Sequence, residues 1–231
     1  MYRSSDRLII IDADGTVIDA FSAICTTFTQ HGLDLGDLER FQKRRNLFKY
    51  LGGIKEFPRN LARHVSQRLR KELLNTLTDV YREEASLYPG MQTLIRDLVA
   101  TPGIRVGMVT RNISHDPHIT LARLFARHDL DIDQLDFMHY LPLREGKSPY
   151  YKAAREQFDI NPARAYACGD EHRDYEAALS AGIHPFIVSY GFESYARLTR
   201  KFVIPEEVIS QDPVTLCQRI RHALDMPPAR A

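Results

Sequence analysis

The hydrophobic positions of this chain fall into short unbroken runs separated by helical spacings. Leu8-Ile9-Ile10-Ile11 is apolar without alternation, rich in β-branched residues, and ends in a polar turn, Asp12-Ala13-Asp14-Gly15-Thr16. A run of that length and composition predicts a strand buried on both faces, as in a parallel sheet. Val106 to Thr110, Ala165 to Cys168 and Pro185 to Val188 look the same, and Phe137 to Leu141 is a weaker version. Between them the spacing predicts helices over about Gln92 to Ala100, His118 to His128, Pro149 to Phe158 and Tyr175 to Ala181. Strands alternating with helices imply a doubly wound α/β sheet with right-handed crossovers, in which ligands collect at the carboxyl ends of the strands.

One stretch breaks the alternation. From about Asp19 to Tyr88 the pattern is helical throughout, divided by Gly52-Gly53, with Pro58 placed to open a following helix. Pro89-Gly90 ends it. The expected organisation is therefore an α/β core from residues 1–18 and 89–231, with residues 19–88 as a helical insertion over the carboxyl edge of the sheet. That insertion reads either as a lid or as extra helices packed on the core. Val214 to Leu224 predicts a last helix, and the residues from Pro227-Pro228 onward a frayed tail.

Bulk properties narrow the function. The 231 residues include 44% hydrophobic and 26% charged residues, with a formal net charge of +1. That balance offers no field for nucleic acid or an anionic membrane, and no apolar run reaches the roughly 18 residues that span a bilayer. The first residues do not read as a secretory signal. Cys25, Cys168 and Cys217 are odd in number and far apart, which argues against a disulfide framework or a CxxC zinc site. A cytoplasmic, reducing location is expected.

The candidate chemistry sits at the strand ends. Asp12 and Asp14, one residue apart after a buried strand, can face one cleft, although Asp and Gly also form turns for their own sake. An EF-hand loop is excluded, because its sixth and twelfth positions would be Val17 and Ala23. Asp170 and Asp174 follow another buried strand, four apart, and would share a face if a helix began there; Asp170 alone could equally cap a helix. His172 between them reads as an exposed turn residue. Four carboxylates brought together repel one another, and oxygen-only ligands select a hard cation such as Mg²⁺. Gly146-Lys147-Ser148 is not a nucleotide loop, since the required upstream glycine is Leu141. Lys147 is left as a loop cation that is either solvated or functional. Thr110 offers a hydroxyl and neighbouring main-chain N–H groups at the same sheet edge, donors suited to a phosphoryl oxygen.

Taken in order, Asp12-x-Asp14-Gly15-Thr16, then Thr110, then Lys147, then Gly169-Asp170-x-x-x-Asp174 resembles the haloacid dehalogenase-like hydrolase superfamily over about Leu8 to Phe192. Tyr88-Pro89-Gly90-Met91 is similar to that family's return from its cap, and Ala177 to Ile183 to its helix after the fourth motif. The insertion resembles the small helical cap of the phosphoglycolate phosphatase-like branch. The chain departs from the pattern at Lys147-Ser148, where the family has Lys-Pro, and at Arg111-Asn112 after Thr110.

The resemblance implies a phosphoric monoester hydrolase acting on a small phosphorylated metabolite. Asp12 would be the nucleophile and Asp14 the general acid and base. Thr110 and Lys147 would hold the phosphoryl oxygens, with Gly15, Arg111 and Asn112 at the substrate edge. Mg²⁺ would sit on Asp12, the Asp14 main-chain carbonyl and Asp170, with Asp174 acting through water or orienting that shell. A phosphomutase would share these residues; a non-catalytic module on the same fold is the other alternative, which loss of an aspartate would have favoured, and all four are present. The basic residues Lys43, Arg44, Arg45, Lys49, Arg59 and Arg63 of the insertion are either substrate contacts or solvated charges. No readable pattern sets an oligomeric state.

Overall fold

The computed structural model describes Tyr2 and residues 4–43 and 67–228. Gly52-Gly53, Pro58 and the basic residues Arg44, Arg45, Lys49, Arg59 and Arg63 lie outside the described residues, as does the side chain of Lys43.

Six strands form one sheet: β1 (Arg7–Ile11), β2 (Ile104–Thr110), β3 (Phe137–Tyr140), β4 (Ala165–Gly169), β5 (His184–Val188) and β6 (Ile209–Ser210). Their order is β3-β2-β1-β4-β5-β6, and every pair is parallel. The sheet therefore reverses its winding on either side of β1, which is the point where parallel α/β sheets open a crevice. Register sharpens this. Ile11 stands beside Met108 on one side and Cys168 on the other, so β1, β2 and β4 run out together at one edge.

Alternate residues of β1 enter different cores, as a period of two requires. Ile9 and Ile11 pack with Leu94 and Leu98 of α4 (Met91–Ala100), Leu121, Leu124 and Phe125 of α5 (Pro117–Arg127), and Leu216 and Ile220 of α8 (Pro213–Ala223). Leu8 and Ile10 face the opposite side, against Tyr151 and Ala154 of α6 (Ser148–Gln157) and Ala177 and Ala178 of α7 (His172–Ser180). Burial on both faces explains the unbroken apolar run.

The described part of the insertion is helical, as expected: α1 (Ala20–Gln30), α2 (Leu38–Lys43) and α3 (Gln67–Glu83). Asp19 caps α1 by accepting from the Ser22 N–H at 3.0 Å. The inward faces of α1 and α3 join the first core through Ile24, Phe28, Leu73, Leu77, Val80 and Tyr81. The chain enters and leaves the insertion side by side: Asp19 N–H donates to Ser86 O at 2.9 Å and Tyr88 N–H to Val17 O at 2.8 Å.

Three details differ from the sequence expectation. Helix α7 begins at His172, ahead of Tyr175. β3 ends at Tyr140, although Leu141 N–H still donates to Thr110 O at 2.8 Å. The two-residue strand β6 and a π-helical turn at Arg197–Lys201 have no counterpart in the reading of the chain. Both are too short to show a period.

Gly107 in β2 is a packing requirement. A Cβ there would come within 2.0 Å of the Phe137 ring, which stands across from it on β3. Gly107→Ala should destabilise the protein by about 1–3 kcal/mol, the usual cost of overpacking. Phe137→Leu should recover part of that loss in the double variant and not on its own. Denaturant midpoints of the four proteins check the coupling, and strictly additive losses would contradict it.

Candidate active site

The site grows from the three strand ends that the register brings level. Asp12 extends β1 by one residue, its N–H donating to Cys168 O at 2.9 Å. Its Oδ1 accepts from Ala13 N–H at 2.8 Å, which fixes the carboxylate plane. Its Oδ2 lies 2.5 Å from Lys147 Nζ. That ammonium also meets Asp174 Oδ1 at 2.8 Å and is only 1% exposed. Lys147 thus comes from a loop across the sheet edge to join the β1 carboxylate to the first turn of α7. The solvated alternative for this residue is overturned.

Asp170 follows β4 and precedes α7, while Asp174 lies within the helix. The two therefore converge without sharing a helix face. Asp170 Oδ2 accepts from Phe192 N–H at 2.6 Å, and Asp174 Oδ2 accepts from Glu171 N–H at 3.0 Å, so the helix is capped from inside. One oxygen each from Asp12, Asp170 and Asp174 lie within 4.8 Å of one another.

Gly15 makes that approach possible. Its φ is +78°, and a Cβ would stand 2.2 Å from Asp170 Oδ2. Its N–H is committed to Ile18 O at 3.0 Å, so what it contributes to the cleft is space.

Asp14 is held separately. Tyr81 OH donates to Oδ1 at 2.9 Å, and Asn112 Nδ2 reaches Oδ1 at 3.2 Å and Oδ2 at 3.0 Å. The Asn112 carbonyl in turn accepts from Ser114 N–H at 3.0 Å and from the Ser114 hydroxyl. In this arrangement the Asn112 side chain supports Asp14. Arg111 Nε donates to Glu145 O at 3.0 Å, and its Nη1 lies 3.4 Å from Glu171 Oε2. Thr110 ends β2 fully buried, its hydroxyl without a hydrogen-bond partner among the described residues.

A cleft of about 600 Å³ opens over these groups, with Asp12, Asp14, Thr110, Lys147 and Asp170 in its wall and Phe41 and Phe192 at the side of the insertion. All nine residues expected from the sequence lie at this sheet edge. Tyr81 was not among them. It sits in a helix whose spacing reads as ordinary core, and nothing local marks its hydroxyl. His172 is also unlike its expectation: half-buried, it stacks on Phe202 with ring centres 3.7 Å apart and bonds to Glu193 at 2.8 Å. The partners arrive from residues 193–202, a segment without a readable pattern.

Electrostatics follow from burial. Desolvation pushes the Asp12 carboxyl up to about 7, against the pull of Lys147. Asp14 is pushed to about 6 by burial, opposed by Tyr81 and Asn112. Asp170 rises well above the ordinary range, through burial and then the charges of Glu171, Asp12 and Asp174. Burial would lower Lys147, but Asp12 and Asp174 outweigh it and hold the amine protonated. One ammonium answers only part of the carboxylate charge. A buried, all-oxygen donor set with excess negative charge fits a hard divalent cation.

A pH dependence follows. An acid whose pKa rises from 3.8 to about 7 on folding binds more protons folded than unfolded between those values. Its contribution to stability is full below about 3.8 and is lost as pH climbs through 7. The metal-free protein should therefore lose stability from pH 5 to 7.5. Lys147→Met removes the charge that holds the carboxyl down. It should cost about 3–5 kcal/mol at pH 7.5, as breaking a buried pair does, and less at pH 5. Urea unfolding in a chelator at the two pH values measures this; an equal loss at both would refute the pairing.

Comparison with known proteins agrees with the geometry. The family model for haloacid dehalogenase-like hydrolases matches residues 7–182. A phosphoglycolate phosphatase from Nitrosospira multiformis is 27% identical over 197 residues, which cover 80% of this chain and 84% of that protein. A haloacid dehalogenase-like family protein from Streptococcus pneumoniae superimposes with a TM-score of 0.59 at 19% identity, covering 94% of this chain and 99% of its own. A candidate beta-phosphoglucomutase from Thermotoga maritima gives 0.62 at 18%, covering 94% and 99%. CbbY from Rhodobacter sphaeroides, solved with phosphate, gives 0.54 at 20%, covering 82% and 89%. These structural likenesses attest the fold, and the sequence match carries the rest. With that match running from β1 through the helix that follows Asp170, the chain belongs to the haloacid dehalogenase-like hydrolase family.

Proposed function

We propose that this protein is a Mg²⁺-dependent phosphatase that hydrolyses a small phosphorylated metabolite through an aspartyl-phosphate on Asp12. The observation that carries the reading is the convergence of Asp12, Asp170 and Asp174 within 4.8 Å beside a separately held Asp14. In this reading one carboxylate attacks and another moves protons.

Asp12, Asp170 and the Asp14 main-chain carbonyl would hold the ion, with Asp174 behind them keeping Lys147 in place. Mg²⁺ supplies charge neutralisation, so that an anionic nucleophile can meet an anionic ester. An Asp12 carboxylate oxygen bonds to phosphorus as the ester P–O bond breaks. The departing oxygen takes a proton from Asp14. Water then attacks the phosphorus of the aspartyl-phosphate, giving its proton to Asp14 and releasing phosphate and the free Asp12 carboxylate. Thr110, whose hydroxyl has no partner among the described residues, and Lys147 donate to phosphoryl oxygens, where positioning and charge do most of the work. Gly15 serves the site by leaving room for the Asp170 carboxylate, and Arg111 with Asn112 borders the phosphoryl group, the latter through Asp14.

The insertion over residues 19–88 acts as the cap of this site, with Phe41 against Phe192 at the cleft mouth, ring centres 5.8 Å apart. No described helix is long and apolar enough to cross a membrane, and three free cysteines suit a reducing cytoplasm.

Activity should need Mg²⁺, and Asp12→Asn should abolish it. Asp14→Asn should hurt an alkyl phosphate far more than a nitrophenyl ester, because a nitrophenolate leaves with little help. With the ester, that variant should give a burst of nitrophenol and then slow turnover. Stopped-flow release at high enzyme concentration checks this, and a burst from Asp12→Asn would move the nucleophile elsewhere. Stoichiometric inorganic phosphate, without transfer to a second sugar hydroxyl, separates hydrolysis from mutase chemistry.

Cap closure has its own test. A metal-fluoride phosphoryl mimic should slow hydrogen exchange at residues 15–19 and 86–90, where the chain enters and leaves the insertion. Unchanged exchange at both would mean that the insertion is simply packed on the core.

A further inference from the structure

Asp14 is gripped from two bodies. Asn112 comes from the core, just after β2, and Tyr81 from α3 of the helical insertion. The Tyr81 ring is 1% exposed and packs in the core that α1, α3, α4 and α5 share. Its hydroxyl is the one polar atom of that side chain, and it is aimed at Asp14 Oδ1 at 2.9 Å. The segment carrying Tyr81 is itself pinned. Arg127 of α5 lies within hydrogen-bond reach of Tyr81 O, Arg82 O and Ala85 O, and Arg82 Nε donates to Thr120 Oγ1 at 3.0 Å.

The two grips are unequal on the two oxygens. Oδ1 accepts from both Tyr81 and Asn112, whereas Oδ2 accepts from Asn112 alone. A carboxyl oxygen has two good acceptor directions. Oδ1 is therefore fully occupied, and Oδ2 keeps one direction open. Without the phenol, the Asn112 amide alone would hold the plane of the Asp14 carboxyl against rotation about Cβ–Cγ.

We propose that Tyr81 is a positioning residue for the general acid and base: the phenol from the insertion fixes the rotation of the Asp14 carboxyl and leaves Oδ2 to exchange a proton with the leaving group and then with water. The inference rests on the proposed role of Asp14. It adds that the proton-transfer step depends on a group delivered by the insertion, while attack by Asp12 does not. Tyr81 touches no reacting atom, and its influence passes wholly through Asp14.

The test compares leaving groups. Tyr81→Phe keeps the ring and removes only the hydroxyl. Its kcat for an alkyl phosphate should fall on the order of 10-fold or more, the scale of loss when a reacting group is slightly misplaced. The nitrophenol burst rate should change by less than about 3-fold, since a good leaving group needs little general-acid help. In the Asp14→Asn background, Tyr81→Phe should leave the alkyl-to-aryl ratio where Asp14→Asn alone puts it, because the two residues act as a unit. A purely structural residue would lower both rates together.

Each failure is distinct. If Asp14→Asn itself leaves the ratio unchanged, the acid–base reading of Asp14 fails first, and the role of Tyr81 with it. If Asp14→Asn shifts the ratio and Tyr81→Phe does not, only the positioning role is overturned. Should Tyr81→Phe not fold, 3-fluorotyrosine at position 81 keeps the ring and hydroxyl but changes the strength of the donor. The alkyl-to-aryl ratio must then shift, and an unshifted ratio overturns the proposal.

Discussion

The buried ammonium of Lys147 is the interaction on which the site depends. Asp12 and Asp174 reach the same place from a strand end and a helix turn, and burial there disfavours the charged form of Asp12. Nζ lies 2.5 Å from one and 2.8 Å from the other and bridges the two. It also ties the loop before α6, the end of β1 and the first turn of α7 into one unit. Asp174 spends its second oxygen on the Glu171 N–H, so the same carboxylate that orients the lysine also starts the helix.

What Lys147 does not neutralise is as informative as what it does. Asp170 sits in the same pocket, held by the Phe192 N–H, with its ionised form disfavoured by burial and by neighbouring carboxylates. Such an arrangement costs stability in the absence of a cation. Folds tolerate that at sites where charge is completed by a ligand. The absence of a side chain at Gly15 belongs to the same design, because any Cβ there would displace the Asp170 carboxylate.

The helical insertion has two relations to this centre. Through α2 it places Phe41 against Phe192 at the mouth, and Gln42 donates to Gly191 O at 2.7 Å, beside the residue that holds Asp170. Through α3 it sends Tyr81 to Asp14. A single inserted segment therefore meets both the edge of the cleft and the residue assigned to proton transfer, with its apolar face continuous with the core beneath.

Much of this was legible in the chain. Unbroken apolar runs at Leu8–Ile11 and Val106–Val109 specified strands buried on both faces, and alternation with helices implied the parallel sheet. Asp12, Thr110 and Asp170, at the ends of such runs, had to emerge at its carboxyl edge, because successive parallel strands all run the same way. Length and spacing are local properties, so the sequence by itself determined the longer strands and helices of the core, the fold class and the family motifs, but not the two-residue β6 or the turn at Arg197–Lys201. The partners of each charged group were a different matter. Whether Lys147 was solvated or buried, whether Asn112 faced the cleft or Asp14, and where His172 and Tyr81 turned their polar atoms all depended on segments distant in sequence. Tyr81 and Asp14 are 67 positions apart and read separately as a core aromatic and a turn carboxylate. Only tertiary packing decided that they meet, since burial is what makes an unpaired hydroxyl or carboxylate costly enough to require a partner.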